Sequence, residues 1–96
     1  MNVIYHPATE AEVVAAARSY QQAVNGLGAQ FLDEFDRSIA VILEAPARWR
    51  IIREGQRRYL MMRFPYGLYY RIVGEEVRIL VVKHHSQHPD YGMDRA

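Results

Sequence analysis

The 96-residue chain contains no cysteine, only one lysine and no long apolar run. Without cysteine it has no disulfide, no thiolate nucleophile and no cysteine-ligated zinc or iron–sulfur site. No segment approaches the roughly 20 apolar residues that a membrane-spanning helix needs, so we expect no membrane partner. The N-terminus lacks the basic start and apolar stretch of a signal peptide, which predicts a cytoplasmic protein. A net charge of +1 with 50% hydrophobic residues indicates one folded domain over residues 1–96 rather than disorder.

Charge is divided unevenly along the chain. Residues 1–47 hold two basic and six acidic residues, a balance of −4, whereas residues 48–96 hold ten basic and five acidic residues, a balance of +5. Eleven of the twelve basic residues are arginine, whose planar guanidinium suits bidentate contacts with phosphate or carboxylate. This asymmetry favours a polyanionic or acidic partner, with a merely solvated basic face as the alternative.

The first half reads as a strand followed by a helical hairpin. The apolar run 3–5 predicts a strand, and Thr9 with Glu12 forms a capping-box pattern that predicts a helix starting near residues 8–10. Asn25-Gly26 is a natural stop, and Pro46 ends a second amphipathic helix. The apolar face of that second helix is predicted to contain Phe31, Phe35, Ile39 and Ile42.

Three strand-like segments follow, over residues 57–63, 68–73 and 77–82. The Gly74-Glu75 turn predicts a tight hairpin in which Arg71 lies opposite Arg78. One apolar face of this hairpin should lie under the helices; it comprises Leu68, Tyr70, Ile72, Val77, Ile79 and Val81. The last strand is apolar on both faces and should be central.

The predicted fold class is therefore α+β, with the order β-α-α-β-β-β. The sheet should be mainly antiparallel, with the helical hairpin packed on one face and the other face open. Phe31, Phe35, Tyr70 and Met62 are interpreted as core, and Trp49 as a lid on the seam between helices and sheet.

The opposed pair Arg71 and Arg78 is the first candidate site. Like charges directly opposite each other on a sheet are destabilising unless something relieves them. A shared anion would do so, and Tyr69 beside Arg71 would add an aromatic contact surface. The alternative is that both arginines reach solvent or pair with Glu75 and Glu76.

The second candidate site is the histidine cluster of His84, His85 and His88. The residues end a strand and enter a Pro-containing loop with no carboxylate at ligand spacing, so we predict no metal site. A histidine at this position could act as a general base, because histidine titrates near neutral pH. The alternative is that it forms a hydrogen bond that fixes the end of the strand to the fold. Tyr91 would either close over the same face or anchor the C-terminus. No cofactor is predicted, because no phosphate loop or catalytic triad is recognisable.

Several of these motifs together resemble the RelE/ParE toxin superfamily of type II toxin–antitoxin (plasmid stabilization) systems. The resemblance rests on the FPYGLYYRI run at 64–72, on VVKHH at 81–85 and on PDY at 89–91. It covers nearly the whole chain and implies a βααβββ fold. It also implies a cognate antitoxin as partner, with an acidic or amphipathic segment that folds on binding.

The family implies two kinds of action. ParE-like toxins inhibit DNA gyrase without catalysis, which is the action we favour, whereas the RelE-like branch cleaves ribosome-bound mRNA without a metal. The cleaving branch usually carries arginines where this chain has Gly67 and Gln87. An inactive module kept only for antitoxin binding is the third alternative.

The resemblance also assigns candidate residues to each action. For a ribonuclease the candidate catalytic residues are Arg71, His84, His85 and Tyr91. The candidate target- or antitoxin-binding residues are Arg58, Arg63, Tyr69, Arg71, Arg78 and Lys83.

Overall fold

The protein, described over residues 1–96 by a computed structural model, is a five-stranded sheet with two helices on one face. The elements are β1 (Asn2–Tyr5), α1 (Pro7–Ala23), α2 (Leu27–Glu44), a 3₁₀ turn (Pro46–Arg48), β2 (Ile51–Arg53), β3 (Gln56–Leu60), β4 (Tyr66–Val73) and β5 (Glu76–His84). The sheet order is β1-β5-β4-β3-β2, with β1 parallel to β5 and the other neighbours antiparallel. The predicted fold class is confirmed, with the short strand β2 as an unpredicted addition.

The first helix begins at Pro7, and the predicted capping box is wrong. The His6 ring accepts a hydrogen bond at Nδ1 from the backbone N–H of Ala8, at 3.1 Å, and so caps the helix. The Thr9 hydroxyl donates to the His6 carbonyl at 2.7 Å instead of accepting from the helix. Glu12 reaches the sheet rather than the helix start. Pro at the first helical position is favourable, because its missing N–H has no helical partner to lose.

The core lies between the helices and the inner face of the sheet. The predicted face of α2 is confirmed, since Phe31 and Ile42 are fully buried and Phe35 and Ile39 nearly so. The Phe31 ring lies 5.4 Å from the ring of Tyr20 and 5.1 Å from that of Phe64. The helices approach closely at Gly28, where a Cβ atom would lie 2.6 Å from the Ala17 carbonyl oxygen. No helix has the length and apolar character needed to cross a membrane.

The register of the β4–β5 hairpin is confirmed from its turn as far as Tyr70, which pairs with Ile79. Beyond that point Tyr69 pairs with Val81, so Leu80 is an extra residue that forms a β-bulge. A bulge reverses the alternation of faces from that point on. Consequently Val82 joins the core under the helices, and Val81, which we expected there, faces outwards. The prediction that the last strand is central is confirmed, because β5 lies between β1 and β4.

The outer face of the sheet is partly covered, which contradicts the expectation that it is open. Residues 88–96, which we call the C-terminal strap, return across it. Met93 of the strap packs with Tyr69, Leu80 and Val81 in a second, smaller apolar cluster.

The assignment of Met62 to the core is wrong. The strand β3 ends at Leu60, and the Met61 N–H donates to the Tyr66 carbonyl at 2.9 Å as the chain turns into β4. This turn buries Met61, whereas the side chain of Met62 is 87% exposed. Trp49 is half-buried with its ring 5.0 Å from that of Tyr59, which agrees with a lid on the seam.

Candidate functional site

Arg71 and Arg78 lie opposite each other on the outer face, but each has a partner within the chain. The Arg71 guanidinium donates to the Glu54 carbonyl in the turn between β2 and β3. The Arg78 guanidinium pairs with the Glu76 carboxylate at 3.1 Å. The repulsion between the arginines is therefore relieved by intramolecular contacts, as the alternative interpretation predicted for Arg78.

Lys83 holds the strap and is closed to a partner. Its side chain is only 4% exposed, and its Nζ donates to the carbonyls of His88, Pro89 and Tyr91 at 3.4, 2.8 and 3.1 Å. The ammonium also lies 4.7 Å from the ring centroid of Tyr69, which is itself buried. Burial lowers the pKa of Lys83. The charge of Asp90 opposes this shift, and the charges of nearby arginines add to it. These two candidate contact residues thus lie beneath the strap.

Tyr91 is part of a second anchor of the strap. Its hydroxyl donates to Glu12 Oε2 at 2.6 Å, and the Arg95 guanidinium pairs with the same carboxylate oxygen at 2.8 Å. The other Glu12 oxygen accepts the Val82 N–H at 3.0 Å, and Arg95 donates to the Leu80 carbonyl at 3.0 Å. The Glu12–Arg95 ion pair thus supplies hydrogen-bond partners for the Val82 N–H and the Leu80 carbonyl of β5. Both backbone groups lie beside the bulge, beyond the end of β1. Glu12 and Arg95 were not identified as site residues from the sequence. The sequence pattern assigned Glu12 to a capping box at the start of α1, whereas the Glu12 carboxylate binds β5 and the strap.

The two candidate histidines differ: His84 forms hydrogen bonds within the chain, whereas His85 is exposed. The His84 Nδ1 accepts the Ser86 N–H at 2.9 Å, and the His84 backbone N–H donates to Gln87 Oε1 at 2.8 Å. Gln87 therefore caps the end of β5, in a position where an arginine could not accept that bond. The side chain of His85 is exposed. No group of three or more histidine, aspartate or glutamate side chains is arranged to hold a metal.

A shallow pocket of about 250 Å³ lies where β3, β4 and the end of β5 meet. It gathers some of the predicted site residues and leaves others outside. Its lining residues are Arg58, Leu60, Tyr69, His84, His85, Gln87 and Pro89. Arg71, Arg78 and Tyr91 are absent from the lining, and Arg63 lies against α2, where it donates to Gln30 Oε1 at 2.7 Å.

Arg58 is the unengaged cation of this region. It stands opposite Tyr69 on the neighbouring strand, and its side chain forms no hydrogen bond or ion pair within the chain. Its charge contributes to the lowered pKa of Lys83, so it adds to a positive field over the outer face. Leu60 and Met62 nearby are 46% and 87% exposed. A free arginine beside exposed apolar side chains is typical of a protein-binding surface.

Comparisons with known proteins agree with this architecture. A family model for the ParE toxin of type II toxin–antitoxin systems, parDE, matches residues 3–89. Among solved structures, a chain of the chromosomal ParDE toxin–antitoxin system from P. aeruginosa superposes with a TM-score of 0.79 at 16% identity. The match covers 88% of this chain and 95% of that chain, which shows a common fold. No curated protein sequence matches. The family match over nearly the whole length confirms the resemblance seen in the sequence, and the chain belongs to the ParE toxin family of type II toxin–antitoxin systems.

Proposed function

We propose that this toxin arrests bacterial growth in the cytoplasm by binding and inhibiting a macromolecular target such as DNA gyrase, and that a cognate antitoxin neutralises it. The observation that carries this proposal is the engagement of two of the four candidate catalytic residues, Arg71 and Tyr91, in contacts within the fold. Arg71 holds the turn between β2 and β3, and Tyr91 holds the strap to Glu12. Groups that are already bonded within the fold are poorly placed to bind a phosphate, which favours binding over catalysis.

The surface around Arg58 supports the binding function. The region contains the free cation, the shallow pocket and exposed Leu60, and exposed Met62 follows two residues further along the chain. Protein interfaces combine an apolar centre with arginine in this way. An acidic or amphipathic segment of an antitoxin would neutralise the charge and cover the apolar side chains, folding as it binds.

A RelE-like ribonuclease is the second candidate, supported by the position of His85 beside Arg58 at the pocket. In that reaction the ribose 2′-hydroxyl attacks the adjacent phosphate while His85 or His84 takes its proton, and an arginine stabilises the developing charge. The bond from phosphorus to the 5′-oxygen of the next nucleotide breaks, and that oxygen leaves with a proton, so the products are a 2′,3′-cyclic phosphate and a 5′-hydroxyl. The phosphate contact would fall to Arg58, because Arg63, Arg71 and Arg78 have intramolecular partners elsewhere.

Two assays with the purified chain separate the candidates. We expect the chain to reduce DNA supercoiling by purified gyrase and to leave ribosome-bound mRNA intact. An RNA product ending in a 2′,3′-cyclic phosphate would overturn the proposal in favour of the ribonuclease. No effect in either assay, together with tight antitoxin binding, would favour the inactive binding module.

Matched charge reversals test the surface. Arg58→Glu should weaken gyrase inhibition about tenfold or more, because it places a carboxylate in the centre of the proposed interface. Arg18→Glu makes the same charge change at an exposed position on α1 and should have little effect. Equal effects of the two variants would contradict a role for the Arg58 surface.

A further inference from the structure

The two free edges of the sheet differ in how well they are protected. The edge strand β2 has only three residues, an irregular register against β3, and an arginine at position 53, with a second arginine at position 50 just before the strand. Short length, irregularity and charge are the devices by which proteins prevent an edge from pairing with another strand. The edge strand β1 is also short, with four residues, but it pairs regularly with β5, carries no charged side chain and presents Ile4 and Tyr5, which are 44% and 45% exposed.

The backbone of β1 is available for pairing. The Asn2 N–H donates to the Glu75 carbonyl and the His6 N–H donates to the Ile79 carbonyl. In a parallel ladder each residue directs its N–H and C=O to the same side, and successive residues alternate. Val3 and Tyr5 therefore direct both backbone groups away from β5, towards the free edge.

Side-chain pockets lie on both faces of this edge. On the helix side, a cleft of about 370 Å³ is lined by residues that include Tyr5, Val14 and Phe35. On the outer side, a second cleft of about 310 Å³ lies between the end of β1 and Leu80 of β5. Because side chains of a strand alternate between faces, an added strand would place its residues alternately in the two clefts.

The charges beside the helix-side cleft indicate the chemistry of the added strand. Glu10 lines the cleft. Burial, and after it the charge of Asp36, raises the pKa of Tyr5, which puts Asp36 within electrostatic reach of this edge. Neither carboxylate has a partner in the chain. A second copy of this chain added at β1 would bring two sets of these carboxylates together, which is repulsive.

We propose that the free edge of β1 binds an extended segment of a partner protein by strand addition, and that this segment carries apolar and basic side chains. The backbone of Val3 and Tyr5 supplies the hydrogen bonds, and the helix-side cleft with Glu10 and Asp36 supplies the preference for a basic residue. This surface is on the edge of the sheet opposite β2 and does not depend on the toxin function.

Labelled peptides test the proposal directly. The probe is a short peptide of alternating valine and lysine; its controls are the valine–glutamate peptide and a valine–lysine peptide interrupted by proline, which cannot form a strand. We expect the uninterrupted valine–lysine peptide to bind about tenfold more tightly than either control, as expected for one or two hydrogen bonds and ion pairs. Similar affinity of all three peptides would overturn the proposal.

A variant pair tests the backbone contact. Val3→Pro removes an edge N–H without removing a bond to β5, and should weaken binding about tenfold. Val3→Ala retains the N–H and should bind nearly as the original chain does. Equal affinity of the two variants would contradict pairing at this edge.

Hydrogen exchange of the backbone amides of the original chain locates the peptide-binding site, even if the Val3→Pro variant does not fold. On addition of the valine–lysine peptide, hydrogen exchange should slow most at the amides of Val3 and Tyr5. Protection at β2 instead, or self-association of the chain through β1, would overturn the proposal.

Discussion

The two faces of the sheet are covered in different ways. The inner face packs against two helices through a cluster of 15 buried apolar residues. The outer face has an apolar cluster of four, and its cover, the C-terminal strap, is held largely by polar contacts. These contacts involve Lys83, Gln56 and the Glu12–Arg95 pair.

This difference means that the folding stability of the chain and the attachment of the C-terminal strap depend on different interactions. Burial of apolar area is the main favourable term in folding, so the inner face should determine whether the chain folds. Directional contacts to charged groups hold the strap in one position, so their loss should release the strap from a sheet that stays folded. The proposed target surface around Arg58 lies on the outer face, beside the strap.

The largest expected effect is at the centre of the inner face. Phe31→Ala should lower the free energy of unfolding by about 3–5 kcal/mol, because it leaves a cavity among Tyr20, Phe64 and Tyr66. Chemical denaturation measures the loss. Leu32→Ala, at the next position on the same helix but 40% exposed, is the control and should cost less than about 1 kcal/mol. Equal losses would contradict the assignment of the core to this face.

Removal of the charge that anchors the strap should have the next largest effect. Glu12→Gln leaves Arg95 without its ion-pair partner and should cost about 2–3 kcal/mol, since the two side chains are only 10% and 15% exposed. Hydrogen exchange should rise in the strap more than in α2. Glu10→Gln changes an exposed, unpaired carboxylate on the same helix and should leave both readouts unchanged. Uniform loss of protection across the chain would contradict a separately attached strap.

The buried ammonium of Lys83 should show a smaller effect with a definite pH dependence. Lys83→Met removes three hydrogen bonds but also a buried charge, so we expect a net loss of about 1 kcal/mol. Because the folded-state pKa of Lys83 is lowered, the unfolded chain binds more protons between that pKa and the ordinary value of 10.5. The original chain should therefore gain stability relative to Lys83→Met as pH rises through this window. A constant difference between the two proteins would contradict the lowered pKa.

The smallest effect is expected at the exposed pair Arg53–Asp90, whose side chains are 48% and 67% exposed. A hydrogen bond from Arg53 lowers the pKa of Asp90, so the contribution is present above the ordinary value of 3.8 and is lost as pH falls through the lowered pKa. Melting temperatures of the original chain and Asp90→Asn should differ slightly near neutral pH and converge in acid. A difference as large as that of Glu12→Gln would contradict the ranking.

The sequence predicts the parts of the fold that local patterns determine. The face of α2 follows from apolar spacing, and the hairpin register near Gly74 follows from the turn. The bulge at Leu80 has no local signal, because Ile79, Leu80, Val81 and Val82 are all apolar and fit either alternation. The parallel pairing of β1 with β5 is a long-range contact that no local pattern specifies.

The candidate site was harder to predict because it depends on which polar groups the fold uses internally. Arg58, Arg71 and Lys83 are equivalent in the sequence as cations on strands. In the structure Lys83 is enclosed by the carbonyls of the strap, Arg71 holds a turn, and Arg58 remains free. The strap itself, residues 88–96, has no strand or helix pattern and was visible only through Tyr91.

The most direct test of the account is a pulse-labelling time course of DNA and protein synthesis after induction of this chain alone in a bacterial host. The account predicts that DNA synthesis falls first, that Arg58→Glu abolishes or greatly delays the fall, and that Arg18→Glu leaves it unchanged. An early fall in protein synthesis, or equal effects of the two arginine variants, would contradict it.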